Sequence, residues 1–202
     1  MTERQGRPPT ISRADVVDAA ARLAEQVGLD RFTMSQLADE LGVAPMTAYH
    51  HVANRTELVH LVVERLLDRI EIPGPEAGPW DARLKALESN ARRELAGIPG
   101  IRTGIDLESS PAAARLADAV LSILDDAGFD ERTALLAYGA LFTYMIGQLD
   151  LDVAASRRDQ PGDALRFAEL IGREAGGSRP TPDDFFDFGF GLLLTALREL
   201  LD

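Results

Sequence analysis

The chain has no cysteine, one lysine (Lys85) and three histidines in 202 residues. Without cysteine there is no disulfide, no thiolate nucleophile and no sulfur ligand for a metal, so a stapled secreted scaffold is excluded. The histidines, His50, His51 and His60, all fall within the first 70 residues, which leaves the rest of the chain without an imidazole base. His50 and His51 project about 100° apart on a helix and cannot readily share one ion. No glycine-rich phosphate loop, G-x-S-x-G elbow or H-E-x-x-H pattern occurs. An enzyme is therefore not expected, and neither a cofactor nor a metal. Met1 is followed by Thr2, Glu3, Arg4 and Gln5 with no apolar stretch behind them, so no secretory signal is expected. The longest uncharged run, Thr133 to Leu149, contains Gly139, Thr143, Gly147 and Gln148 and is shorter than the roughly 20 residues of a membrane span. It reads as a helix buried in protein. The expectation is a cytoplasmic chain with no membrane partner.

What is present is ordinary globular material, 46% hydrophobic and 27% charged. The net charge of −12 is unevenly spread. Residues 1–70 carry 8 basic and 10 acidic side chains, residues 71–202 carry 13 and 23. Arg4, Arg7 and Arg13 face only Glu3 over the first 13 residues. A nucleic-acid reader needs a basic face rather than a basic chain, so the overall acidity does not exclude one.

Helical periodicity runs throughout and sustained period-two alternation is missing, which predicts an all-α fold. Ser12 with Asp15, Thr33 with Gln36 and Asn54 with Glu57 have capping spacing and open three helices. Gly28 and Gly42 close the first two. Pro45 opens a further short helix running through His51. Pro73, Gly74, Pro75, Gly78 and Pro79 then break the chain, which divides it into domains 1–70 and 71–202. Helices are predicted near 80–97, 111–127, 131–155, 163–175 and 183–201, with an irregular stretch between Gly97 and Ser109.

Residues 33–55, TMSQLADELGVAPMTAYHHVANR, form a short helix, a glycine-containing turn and a second short helix. That is a helix-turn-helix layout. Gly42 permits the sharp turn, Leu37, Leu41 and Val43 fix the interhelical angle, and the second helix is free to enter a major groove. Pro45, Met46 and Thr47 sit at its start, where side chains meet base edges. Thr47 can hydrogen-bond, and Met46 can touch a thymine methyl. His50 also faces the groove. Arg55 at the following helix start suits a phosphate, as do Ser35 and Gln36 on the supporting helix.

On these residues, with Ile11, Ala19-Ala20, Leu23, Gly28, Thr33-Met34, Leu37-Ala38, Leu41-Gly42-Val43, Thr47, Tyr49, His51-Val52, Asn54-Arg55 and Leu58, the segment 11–62 resembles the DNA-binding domain of the tetracycline-repressor (TetR) family. The resemblance implies an N-terminal three-helix helix-turn-helix domain and a C-terminal helical domain for ligand binding and dimerisation. It further implies a homodimer on double-stranded operator DNA that releases it when a small-molecule effector binds. It puts Tyr49 against the DNA backbone.

Two helices of the second domain are apolar on more than one face. One carries Leu135, Tyr138, Leu141, Phe142, Met145 and Leu149; the other carries Phe186, Phe190, Leu193, Leu194 and Leu197. They suit a four-helix bundle between two subunits, or the core of one. Trp80, Arg102, Tyr138, Phe142 and Met145 suit either a mostly hydrophobic ligand cavity or core packing. Three functions remain open: a ligand-responsive repressor, a ligand-independent regulator or activator, and a small-molecule-binding interaction module that does not bind DNA.

Overall fold

A computed structural model describes residues 11–105, 109–156 and 180–201, and no strand occurs among them. The local rules written in the sequence set the helix starts. Helix α1 (Arg13–Val27) begins where the Ser12 hydroxyl accepts from the Asp15 N–H and the Asp15 carboxylate accepts from the Ser12 N–H (2.8 Å). The Ser12 hydroxyl, which also donates to the Asp15 carboxylate (2.7 Å), and then the Ser12 N–H hold that carboxyl below the usual carboxylate range. Thr33 and Gln36 repeat the pattern for α2 (Met34–Leu41). After Gly42 comes α3 (Pro45–Tyr49), with proline in its first turn. It ends two residues short of the expected His51. The Asn54 side-chain oxygen accepts from the Glu57 N–H (2.9 Å) and starts α4 (Arg55–Asp68).

The proline- and glycine-rich stretch holds only a single 3₁₀ turn, Pro75–Ala77. There follow α5 (Trp80–Leu95), a one-turn α6 (Ile101–Gly104), α7 (Pro111–Asp126), α8 (Glu131–Ser156) and α9 (Pro182–Glu199). The cap-then-proline pairs Ser110-Pro111 and Thr181-Pro182 open α7 and α9 as expected. The helix predicted at 163–175 lies outside the described residues.

The described chain divides into two compact units: 11–66 with 98–105, and 67–97 with 109–156 and 180–201. The division falls inside α4, a few residues before the boundary read from the sequence. In the first unit α1 packs on α2 and α2 on α3, over Val16, Ala20, Leu23, Phe32, Leu37, Leu58, Val62 and Leu66, all buried. The segment 98–105 joins this unit by close backbone approach. The Leu29 N–H donates to the Pro99 carbonyl (2.8 Å), and Gly28, at φ +101°, lies where an added methyl would stand 2.9 Å from Pro99 Cβ and 2.8 Å from Asp30 Oδ1.

In the second unit α5 packs on α7 and α8, α7 on α8, and α8 on α9. Its core draws on Leu84, Leu87, Ile123, Leu124, Leu141, Leu149, Phe186 and Phe190. Trp80 packs edge-on against Phe129, with centroids 5.5 Å apart. The Tyr144 hydroxyl on α8 donates to the Phe185 carbonyl of α9 (2.8 Å) and rests against Gly189, where a β-carbon would displace it.

Two glycines separate backbone strain from crowding. Gly42 (φ +65°) has open space where a Cβ would go, so Gly42→Ala is expected to cost about 1 kcal/mol from conformation alone. Gly28→Ala adds collision to an unfavourable φ and should cost about 2 kcal/mol or more. Urea titration followed by circular dichroism checks the order; equal losses would contradict it.

Candidate functional site

Helix α3 is five residues long, too short to hold its own shape in water. Its position is borrowed from its neighbours. Ala48 is completely buried and lets α3 sit close against α2, while Val52 anchors the residues that follow. Gly42 takes the left-handed conformation (φ 65°, ψ 32°) that turns the chain from α2, and its N–H and that of Val43 return to α2 carbonyls. With one small residue facing inward, the rest of α3 faces out. Pro45 and His50 are exposed, Thr47 is half-buried at the rim, and Met46 and Tyr49 are 65% and 44% exposed. Ser35 is exposed on α2. The structure thus brings Ser35, Pro45, Met46, Thr47, Tyr49 and His50 onto the two helices of the helix-turn-helix.

Two of the predicted DNA contacts are engaged elsewhere. The Gln36 carbonyl oxygen accepts from the Thr33 N–H (2.8 Å), so it belongs to the α2 cap, and only its amide nitrogen remains for an outside acceptor. Arg55 points inward. Its Nη1 donates to the Phe32 carbonyl (2.5 Å), its Nη2 to the Leu29 carbonyl (2.8 Å), and its guanidinium lies 4.6 Å from the Phe32 ring centroid. The chain between α1 and α2 has carbonyls with no helical partner, and a guanidinium at the start of α4 supplies the donors. Arg55 is a scaffold contact in this structure, in place of the phosphate ligand that its position at a helix start suggested.

In the second unit, Tyr138 and Phe142 stack on α8 with centroids 6.0 Å apart, and Met145 is buried one turn on. Trp80 is engaged with Phe129. Arg102 belongs to the other compact unit and is exposed. Sequence reasoning missed the polar groups here. Arg92 on α5 makes a two-pronged ion pair with Asp152 of α8 (2.9 and 2.8 Å), bonds Asp183 of α9 (2.7 Å), and lies over the Phe186 ring at 5.1 Å. An open cleft of about 380 Å³ follows this network, lined by Ser89, Arg92, Arg93, Ala96, Asp183, Phe186 and Asp187. Glu88, one turn before Arg92, is buried with a carboxyl that burial pushes up to about 8. Burial, and then the Glu88 charge, also raise the Tyr138 phenol. A signal for Glu88 was available: it falls at the centre of the apolar stripe Leu84, Leu87, Ala91 and Leu95.

The sequence profile described as bacterial regulatory proteins, tetR family, matches residues 16–62, the stretch that builds α1 to α4. The chain belongs to the TetR family. Similarity extends over the whole length. The tetracycline repressor protein class D of Escherichia coli is 29% identical over 205 residues, covering 95% of this chain and 94% of that protein. The fold of this TetR-family chain is shared with the Streptomyces coelicolor TetR family protein ActR in complex with actinorhodin (TM-score 0.73, 19% identity, 96% and 99% of the two chains). It is shared as well with BioQ bound to its double-stranded DNA operator (TM-score 0.66, 21% identity, 93% and 98%). A TetR-family member is a transcription regulator and not an enzyme, in keeping with the missing catalytic signatures.

Two outcomes are expected. Arg55→Ala removes two charge-assisted hydrogen bonds and should lower the stability of the DNA-free protein by about 2–3 kcal/mol, with Arg55→Lys recovering only part, since lysine lacks the planar fork. Thermal melts check this, and an unchanged melting temperature would contradict it. For Glu88, the folded carboxyl holds its proton up to about 8, against 4.5 for an ordinary glutamate. Its contribution to stability is complete below the lower value and is lost as pH rises through the upper one. Glu88→Gln should therefore melt above the parent near pH 9 and converge with it near pH 5.

Proposed function

We propose that this TetR-family regulator is a ligand-responsive repressor. Two copies bind palindromic operator DNA, and a small, mostly hydrophobic effector releases them. The observation that carries the DNA half is the sidedness of α3: one fully buried alanine beneath two large, exposed side chains, Met46 and Tyr49. Exposed apolar bulk on a short, rigidly held helix suits a groove that offers thymine methyls and base edges. Pro45, Met46, Thr47 and His50 meet the bases, and Tyr49, Ser35 and the Gln36 amide meet the backbone. The relatives named as tetracycline repressor and the BioQ–operator complex agree with such a role. Reading of genomic DNA puts the protein in the cytoplasm.

The homodimer rests on α8 and α9. One face of each is buried: Ala134, Ala137, Leu141, Met145 and Leu149 on α8, and Phe186, Phe190, Leu194 and Leu197 on α9. A second apolar face stays exposed, with Leu135 (60%), Leu136 (64%), Leu151, Phe185, Phe188 (72%) and Leu192. By length and composition α8 could also cross a membrane. Its buried Gln148 and Asp152, satisfied by the Pro182 carbonyl and Arg92, tie it instead to a packed protein interior. Paired α8 and α9 helices from two subunits would cover the exposed face as a four-helix bundle.

The reading separates cleanly by mutation. Phe188→Asp leaves the monomer core intact and should give a monomer in sedimentation velocity, with a large loss of operator affinity. Thr47→Ala should keep the dimer and lose about 1–3 kcal/mol on the cognate site, relaxing preference at one base position. A Phe188→Asp protein that stays dimeric would reject this interface. Full discrimination by Thr47→Ala would move the base contact elsewhere.

A further inference from the structure

Four polar or charged side chains are buried among the described residues. The fold explains three. Ser110 caps α7, Gln148 donates to the Pro182 carbonyl, and Asp152 holds Arg92. Glu88 has no hydrogen bond or ion pair among the described residues. It shares the buried face of α5 with Leu84, Leu87 and Leu95. The cation one turn along, Arg92, is committed to Asp152 and Asp183. Elsewhere on the packed elements, Arg83 and Lys85 of α5 pair with Asp126 and Asp187, and Arg115 of α7 is spent on the Leu67 carbonyl. On α8 the phenol of Tyr138 feels the Glu88 charge. The Tyr138 hydroxyl has no hydrogen-bond partner among the described residues, and its ring stacks on Phe142.

A buried carboxyl without a partner is costly, and a group of this kind calls for an explanation, such as a partner that binds later. We propose that Glu88, with the stacked rings of Tyr138 and Phe142, anchors a site for a lipophilic organic cation, an amine or quaternary ammonium on an apolar body. This rests on the second unit being the sensor, and it names the effector class. A cation beside the carboxylate supplies the missing charge partner, and the aromatic faces add attraction that desolvation strengthens. An anion would oppose the ionisation of Glu88, and a neutral body would add no charge to draw the proton off it. Binding near neutral pH leaves Glu88 ionised, and its proton passes to the buffer.

The test is calorimetric titration of the full-length protein with tetraphenylphosphonium and with phenyltrimethylammonium. Tetraphenylborate and tert-butylbenzene serve as their anionic and neutral isosteres. At least one cation should bind saturably, one per chain, at least tenfold tighter than its isostere. Titration in two buffers of different ionisation enthalpy should show up to one proton released. Glu88→Gln, whose fold is checked by its melt at pH 7, should weaken the cation at least tenfold and release no proton. The proposal falls if neither cation binds, if an isostere binds as tightly, or if Glu88→Gln keeps the parent affinity. A separate arm adds the cation to the operator-bound parent. Glu88-dependent binding with unchanged operator affinity would contradict the sensor reading while leaving the cation site in place.

Discussion

The helix-turn-helix depends on one packing constraint: a five-residue helix held against its neighbour by a single alanine methyl. Ala48 has no exposed surface, so α3 and α2 approach as closely as side chains allow. The other groups that position α3 lie outside it. The left-handed Gly42 sets the turn, the Thr33–Gln36 box fixes the start of α2, and Arg55 ties the α1–α2 connection to the start of α4. That division leaves the outward side chains of α3 free to vary in chemistry without disturbing the fold. It is how one scaffold can present different outward side chains.

The second unit contains two contrasting solutions to buried charge. Arg92, Asp152 and Asp183 form a network in which the buried carboxylate has its full complement of donors, so the desolvation cost is offset locally and α5, α8 and α9 are pinned together. Glu88, one turn away, has no such arrangement and stays protonated well into neutral pH. Folding accounts for the first. The second has the character of a group reserved for something that arrives later. The two apolar faces of α8 differ in the same way, one consumed within the chain and one left exposed.

Legibility in the sequence followed the range of the interaction. Capping pairs three residues apart, prolines in first turns and stopping glycines gave the longer described helices to within about two residues. The helix-turn-helix was recognisable because Leu37, Gly42, Thr47 and Tyr49 stand at fixed short spacing. What escaped was long-range. Arg55 looked like a phosphate ligand from its place at a helix start, but its partners, Leu29 and Phe32, lie 26 and 23 residues back. The return of residues 98–105 to the first unit depends on Gly28 making room for Pro99, which spacing cannot announce. Arg92 finds Asp152 across 60 residues. Glu88 was readable as a charge in an apolar stripe, yet only burial without a partner makes it a candidate anchor.

The central claim is that two copies present α3 to successive grooves of one duplex. Selection of bound sequences from a pool of random duplexes tests it most directly. The account predicts enrichment of an inverted repeat with half-site centres about one helical turn, roughly 34–36 Å, apart or a multiple of it. Recovery of single, unrepeated sites, or no enrichment over the starting pool, would contradict it.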